Sequence, residues 1–370
     1  MTPHSSSLRL ARPQDNVDLI ALARSAPMEG SIRVFSDRGP DFFTLSQLQG
    51  DKSEVLVYED SGQVVGSIVL THRVEKWFGK PKAILHAGDL RVAPSHRSTR
   101  IARSLVHKWF EEIENRSYAA GGCEVIKDNH GGLAMLQKHP SHFHLQSLGQ
   151  AKIYQLLPLW VQRFDRRLEY RSATLDDLPE LSQLLSLSYD GYNGQPEFSV
   201  AYLQQLIDQH PSFDIEDIWI AEKHGKIAAC AGFWDQLDIR RTVVERFSPS
   251  LHFAVNSIRM ARPILRLPEI PRPGDPLRYA FVRFPAHLPG EKSALQSLIR
   301  FLLNRVRQQG QHQFIWLSFH ENDPMKSVIN GLIKLSMEVN LFHMSVKTRE
   351  AEWSEEPLLR RIPYIDFSLV

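Results

Sequence analysis

The sequence predicts an α/β protein made of two similar units, each a mixed, largely antiparallel twisted sheet flanked by helices. Two observations support this prediction. In the first half, apolar segments follow the order strand, helix, antiparallel strands, and then alternating strands and helices. Motifs of the first half recur in the same order in the second half, and each copy is as long as a domain. The length of 370 residues agrees with two units, since about 150 residues per domain is the usual expectation.

The elements of the first unit follow from periodicity and turn chemistry. Asp60-Ser61-Gly62-Gln63 supplies a hairpin turn between two apolar strands. Pro94 stops a later strand because proline cannot donate to a sheet ladder. Residues 27–40 show little pattern and are predicted to be irregular and exposed, apart from Ile32, Val34 and Phe35. The predicted strands are 8–11, 54–59, 64–72, 83–92, 123–127 and 152–157, and the predicted helices follow residue 15 and cover 42–48, 103–115 and 133–138.

An internal repeat sets the domain organisation. The matched positions, first half and then second half, are Arg9 and Arg171, Val55 and Ile218, Pro94 and Pro285, His96 and His287, and Asn129 and Asn322. The offset rises from 163 to 191 between the second and third matches, which indicates one insertion at about 235–277. This insertion is rich in proline and arginine and is predicted to run over the surface. We therefore predict domains at 1–160 and 161–370.

Composition excludes some classes of protein. The chain carries 44 basic and 42 acidic side chains for a net charge of +2, whereas dedicated nucleic-acid binders usually show a strong basic excess. Cys123 and Cys230 follow no metal or redox spacing, which favours free thiols in a reducing cytoplasm. The N-terminus lacks the apolar segment of a secretory signal, and no apolar run reaches the roughly 20 residues that span a bilayer. We expect a cytoplasmic protein that binds neither nucleic acid nor membrane.

The stretch from Gly88 to Phe110 carries the clearest functional signal. It is predicted to be a strand end, a basic loop at 97–100, and a helix with apolar residues at Ile101, Leu105 and Val106. The free N–H groups at a helix N-terminus bind phosphate, and two arginines on the loop would strengthen that binding. Many α/β proteins have such a joint with an arginine and bind no phosphate there, so both interpretations remain open on this stretch alone.

The loop and the repeat together resemble the GCN5-related N-acetyltransferase (GNAT) family, and the chain resembles a tandem GNAT protein. The family pattern is Arg/Gln-x-x-Gly-x-Gly/Ala, in which Arg97 and Ala102 match and Arg100 replaces a glycine. The resemblance implies an acyl-CoA site in the first domain, with acetyl-CoA or another acyl-CoA as cosubstrate. The implied binding residues are Leu90, Arg91, Val92, Arg97, Ser98, Thr99, Arg100, Ile101, Ala102 and Asn129. Arg100 would either add a charge-assisted contact to the pyrophosphate or fill its site.

The second copy of the loop departs further from the family pattern. Leu288 stands where the arginine is expected, and Glu291 would repel a pyrophosphate. Gly290 and Lys292 would restore the pattern only through a shift of one residue. The second domain is therefore predicted to be a degenerate copy that shapes the acceptor pocket or stabilises the first.

The resemblance also implies a mechanism, in which an amine attacks the thioester carbonyl directly. Asp89 is the first candidate for the general base, and His86 and then His72 are the alternatives. Asp89 has a structural interpretation as well, as the partner of Arg91 or Arg103. The family's usual tyrosine acid is replaced by Leu136. The substitutes we consider are Tyr154, Tyr58 and His139.

Two other interpretations are weighed against an acetyltransferase. One is a catalytically inactive tandem GNAT protein that binds acyl-CoA or a protein partner, which Arg100 and Leu136 favour. The other uses aminoacyl-tRNA as donor, which the near-neutral charge disfavours. His139, His142 and His144 form a cluster without carboxylate or cysteine partners at defined spacing, so we expect no metal. The acceptor is predicted to be a small-molecule or peptide amine, and the protein a monomer or homodimer.

Overall fold

The computed structural model describes residues 6–28, 32–97, 100–249, 269–353 and 358–369. The strands are β1 Ser6–Leu10, β2 Ile32–Asp37, β3 Lys52–Asp60, β4 Gln63–Trp77, β5 Lys80–Val92, β6 Ala120–Ile126, β7 Phe143–Leu156, β8 Glu169–Ser172, β9 Tyr192–Asn193, β10 Ile218–Lys223, β11 Lys226–Asp235, β12 Arg241–Phe247, β13 Pro276–Leu277, β14 Tyr279–His287, β15 Phe314–His320, β16 Lys334–Val346 and β17 Ile362–Pro363. The α-helices are α1 Asn16–Ser25, α2 Phe43–Leu48, α3 Ile101–Asn115, α4 His130–Leu136, α5 Leu178–Ser188, α6 Val200–Gln209 and α7 Lys292–Gln309. Within these ranges, no helix combines the length and the apolar character needed to cross a membrane.

A single twelve-stranded sheet joins the two halves of the chain. Its order is β1-β3-β4-β5-β6-β16-β7-β15-β14-β11-β10-β8. β5 runs parallel to β6 and β14 runs parallel to β15, whereas the other pairs are antiparallel. The order is equivalent when read from either edge, as the internal repeat predicts. The α/β fold with a mixed, largely antiparallel sheet is therefore confirmed.

The last strand of each unit lies in the other unit's half of the sheet. β7, which ends the first unit in sequence, pairs with β15 of the second. β16, which ends the second unit, pairs with β6 of the first. β7 and β16 also pair with each other and so form the centre of the sheet. The boundary at residue 160 stays a prediction, since the sheet runs without a break across it.

The strand register corrects one match of the repeat. In the first unit, Ser67 of β4 lies opposite Arg91 of β5. In the second unit, Cys230 of β11 lies opposite Ala286 of β14. Arg91 thus corresponds to Ala286, and the prediction that Pro94 matches Pro285 is wrong. The cause is a shorter strand-to-helix connection, which has four residues at 288–291 and eight at 93–100.

The described part of the insertion forms strands, one of which pairs with the first unit. β12 forms a three-stranded sheet with β13 and with β2 of the first unit. Val244 and Phe247 on β12 are buried in this contact. The predictions that 27–40 is irregular and that all of 235–277 runs over the surface are therefore wrong for these strands. Residues 250–268 lie outside the described residues.

Helix α3 packs against the first unit's sheet. Its buried positions recur at helical spacing and are Ile101, Leu105, Val106, Trp109, Phe110 and Ile113. Gly66 on β4 permits this close packing, because a Cβ there would lie 2.5 Å from Cγ2 of Ile101. This contact fixes the N-terminus of α3 relative to β4.

Candidate active site

The parallel strands β5 and β6 separate partway along their length. They pair from Ile84 and Ala120 to Ala87 and Cys123. Beyond Ala87, β5 pairs with β4 alone among the described strands, and the register shifts between Ser67 and Val69. Asp89 lies in this bulge with a φ of 51°, in the left-handed region. The bulge presents backbone groups of the following residues to the gap.

The predicted binding residues Leu90, Arg91 and Val92 lie on the part of β5 that borders this gap. The eight-residue connection then leads to the N-terminus of α3 at Ile101. Backbone N–H groups in the first turn of a helix can bind an anion. Ile101 and Ala102 form the first turn of α3. Their role in acyl-CoA binding stays a prediction.

Arg100 fits the backbone at the position where the family prefers glycine. Its φ is −77° and its ψ is −5°, which any residue can adopt. Its side chain is exposed, as is that of Arg97. The substitution therefore introduces no backbone strain next to α3. Ser98 and Thr99 lie outside the described residues.

Asn129 follows β6 and caps α4, where its Oδ1 accepts a hydrogen bond from the N–H of Gly132 at 3.0 Å. Leu136, at the end of α4, is buried in the core beneath α3. It therefore contributes packing at the place where the family has its tyrosine acid.

A cavity of about 180 Å³ lies beside the separation of β5 and β6 and between the two units. His86 on β5, Glu75 on β4 and Glu124 on β6 contribute to its lining. The second unit contributes α6, β16 and the segment around Tyr364. The predicted acid candidates Tyr154, Tyr58 and His139 do not line it, but Tyr202 and Tyr364 do.

His86 is held in one orientation by a buried carboxylate. Its Nε2–H donates to Oε1 of Glu75 at 2.7 Å, and the other oxygen of Glu75 accepts from Nε1 of Trp77 at 3.0 Å. Burial alone would raise the pKa of Glu75, but the charge and hydrogen bond of His86 outweigh it and hold that pKa below its ordinary value. Glu75 is therefore ionised and accepts the hydrogen bond from Nε2–H, so the neutral form of the imidazole has its lone pair on Nδ1.

The second ring nitrogen of His86, Nδ1, is not engaged by Glu75. Nδ1 is buried and has no hydrogen-bond partner among the described residues. Oε1 of Glu124 lies 3.8 Å from it. With the proton on Nε2 alone, Nδ1 carries a lone pair that can accept a proton. Sequence reasoning selected His86 but neither Glu75 nor Glu124.

Asp89 has a different environment. Its carboxylate contacts Nη1 of Arg38 at 3.1 Å and Nη2 of Arg91 at 2.6 Å. Burial would raise the pKa of Asp89, but the charges of Arg91 and Arg38 outweigh it and hold that pKa below its ordinary value. Such pairing makes Asp89 a weaker base than a free carboxylate. The pairing with Arg91 was the structural alternative, and the catalytic role of Asp89 stays a prediction.

His72, the other alternative base, lies outside the cavity lining. Its Nδ1 is 3.1 Å from the hydroxyl of Tyr118. The His139–His144 cluster is also outside that lining, and His142 lies 3.4 Å from Oε2 of Glu114. Within the described ranges, no three histidine, cysteine or acidic residues come together in a metal-binding arrangement.

The corresponding gap in the second unit is filled. Phe284 repeats the left-handed bulge with a φ of 36°. Beside it, Nη2 of buried Arg283 contacts Oδ2 of Asp366 at 3.0 Å. Phe367 and Ser368 lie next to β14 and β15 and are buried. The C-terminal segment thus takes the space that the first unit leaves open, in agreement with the short connection at 288–291.

The chain is similar to known proteins in part of its sequence and in its fold. Residues 21–139 match the model of the Acetyltransferase (GNAT) family. No curated protein sequence matches the chain.

Among solved structures, Saccharomyces cerevisiae N-myristoyltransferase with bound myristoyl-CoA has a TM-score of 0.63 at 10% identity, and the match covers 92% of this chain and 82% of that one. A GCN5-related N-acetyltransferase from Anabaena variabilis has a TM-score of 0.52 at 11% identity, covering 93% and 73%. One from Kribbella flavida has a TM-score of 0.51 at 11% identity, covering 93% and 72%. Residues 21–139 thus resemble the GNAT family in sequence, and the chain as a whole has the GNAT fold.

Proposed function

We propose that the first unit transfers an acetyl or other short acyl group from acyl-CoA to a primary amine, with His86 as general base. The observation that carries this proposal is His86, which lines the cavity beside the separation of β5 and β6 and whose buried Nδ1 has no hydrogen-bond partner among the described residues. The family match over residues 21–139 supports acyl-CoA as the donor. The neighbouring structure that contains myristoyl-CoA also supports it.

Glu75, His86 and the backbone near Leu90 each have a separate role in the direct attack. Glu75 holds His86 so that Nδ1 accepts a proton from the ammonium form of the acceptor. The neutral amine then attacks the thioester carbonyl carbon, a C–N bond forms, and the tetrahedral intermediate loses its second amine proton to solvent. Backbone N–H groups near Leu90 stabilise the oxyanion. The C–S bond breaks and the thiolate of CoA leaves, taking a proton from solvent or from His86.

The binding of the donor is assigned to the loop and to α3. Arg97 and Arg100 contact the pyrophosphate, and the N-terminus of α3 binds it through backbone N–H groups. Asn129 contacts the pantetheine arm. A cytoplasmic location and a monomeric or homodimeric state remain part of this proposal.

A second function is favoured by one observation, the burial of Leu136 where a proton-donating tyrosine is expected. A protein that binds acyl-CoA without turnover would have no need of that tyrosine. A thiolate leaving group can depart without a donor, so we place this function second.

Calorimetric titration with acetyl-CoA, followed by a thiol-release assay on a panel of primary amines, tests the proposal. We expect binding and release, and we expect His86→Gln to lower kcat by about 10²–10⁴-fold without changing the Kd of acetyl-CoA. His142→Gln, an exposed histidine outside the cavity lining, is the control. Absence of acetyl-CoA binding would refute both functions, whereas binding without thiol release on any amine would favour the second.

A further inference from the structure

We propose that the acceptor is a small primary amine that carries hydroxyl groups, and that the second unit recognises those hydroxyls. This inference rests on the proposed function, because it identifies the substrate class for the same cavity. It also gives the second unit a direct role in substrate binding.

The cavity is shared almost evenly between the units. His86, Glu75 and Glu124 face it from the first unit, and Tyr202 and His210 face it from the second. The separation of β5 and β6 borders only the first unit's side. An amine that reacts beside His86 would therefore extend its other end toward the second unit.

Three buried polar atoms on the second unit's part of the lining have no hydrogen-bond partner among the described residues. They are Nε2 of His210, Nε2 of His343 and Nδ2 of Asn193. The residues are 8%, 2% and 0% exposed, and all three line the cavity. An unsatisfied buried polar atom costs about 1–3 kcal/mol, so this grouping indicates a polar ligand.

The chemistry of these atoms specifies the polar group. The Nδ1–H of His210 donates to the carbonyl of Leu206 at 3.0 Å, which leaves Nε2 as an acceptor. Oδ1 of Asn193 accepts from the N–H of Phe78 at 2.9 Å, which leaves Nδ2 as a donor. A hydroxyl both donates and accepts, so hydroxyl groups satisfy both residues.

Charge and size restrict the ligand further. The carboxylates that line the cavity are Asp51, Glu75, Glu124 and Asp366, and the guanidinium that lines it is Arg73. Asp366 is paired with Arg283, which leaves three carboxylates against one guanidinium. This excess of negative charge favours a cation over an acid or a phosphate. A volume of about 180 Å³ equals roughly six water molecules, and a cavity of about 150 Å³ holds benzene, so the ligand has about six to ten non-hydrogen atoms.

A matched pair of acceptors tests the inference. Serinol (2-amino-1,3-propanediol) and pentan-3-amine have the same number of non-hydrogen atoms, and two hydroxyls of the first replace two methyl groups of the second. We expect kcat/KM for thiol release from acetyl-CoA to be at least about tenfold higher with serinol. His210→Leu should raise KM about tenfold for serinol, while KM for the apolar amine and the Kd of acetyl-CoA should stay unchanged.

His312→Leu is the matched control, since His312 is a buried histidine of the second unit that bonds to Asp235 and does not line the cavity. Equal or better turnover of pentan-3-amine by the wild type would overturn the inference and leave the proposed function standing. No turnover of serinol would also overturn it, and the wider amine panel would then decide the proposed function separately. If His210→Leu fails to fold by circular dichroism, the wild-type ratio alone decides.

Discussion

Replacing Asp89 by Asn separates a structural role of this residue from a catalytic one. Asp89 occupies the left-handed region, which Asn also tolerates, so the substitution removes a charge without straining the backbone. The side chains of Arg38, Asp89 and Arg91 are 3%, 13% and 16% exposed. Removing one partner of a buried ion pair costs about 3–5 kcal/mol. Because Asn retains one oxygen for a guanidinium, we expect a loss of about 3 kcal/mol in the free energy of unfolding.

Urea denaturation of the wild type, Asp89→Asn and the control Asp128→Asn measures this loss. Asp128 is exposed, so its substitution should change stability by less than about 0.5 kcal/mol. The double variant Arg38→Met with Asp89→Asn should lose about 1–3 kcal/mol less than the sum of the single variants. An Asp89→Asn protein that unfolds at the wild-type urea concentration would refute the ion-pair reasoning. If its kcat also fell about 100-fold, Asp89 would replace His86 as the base.

Three further predictions follow from the same geometry. Gly122→Ala would place a Cβ 2.6 Å from Cε1 of His86, so kcat should fall about as far as in His86→Gln while the Kd of acetyl-CoA stays the same; a wild-type kcat contradicts it. Gly66→Ala should push Ile101 and the start of α3 away from β4, with a stability loss of about 1–3 kcal/mol and a weaker Kd for acetyl-CoA by calorimetry. Burial lowers the pKa of His343 to about 3 from 6.5. As pH falls below 6.5, His343 therefore becomes protonated in the unfolded chain but stays neutral in the folded protein, which lowers the free energy of unfolding. The wild type should therefore lose about 2 kcal/mol more stability than His343→Leu between pH 7.5 and pH 5 in urea denaturation, and equal losses would count against this.

The sequence predicted the elements whose pattern is local. The hairpin of β3 and β4 and the buried face of α3 were predictable because strand alternation and helical spacing depend only on residues close together in the sequence. The copy of that pattern in the second half was predictable for the same reason. The short connection at 288–291 was not, because a proline and a histidine in similar places suggested a match that the strand register excludes.

Long-range pairing set the limit on prediction. β2 pairs with β12 across about two hundred residues, and the residues of one strand carry no information about a partner so distant in the chain. On β4, Val74 is exposed and the next residue, Glu75, is buried. Alternation of apolar and polar residues predicts the reverse, so the sequence did not reveal the buried carboxylate. The site was therefore predictable through His86 but not through the carboxylate that orients it.

The placement of β16 has a consequence for how the chain is made. Strand β6 ends at residue 126, and β16, the strand that pairs with its outer edge, begins at residue 334. At about 5–20 residues per second, a ribosome takes roughly 10–40 s to synthesise the intervening chain. During that time the first unit has an unpaired strand edge, which is a template for aggregation. The first unit therefore reaches its final strand pairing only when nearly the whole protein has been made, and a chain released before residue 334 should be a substrate for chaperones.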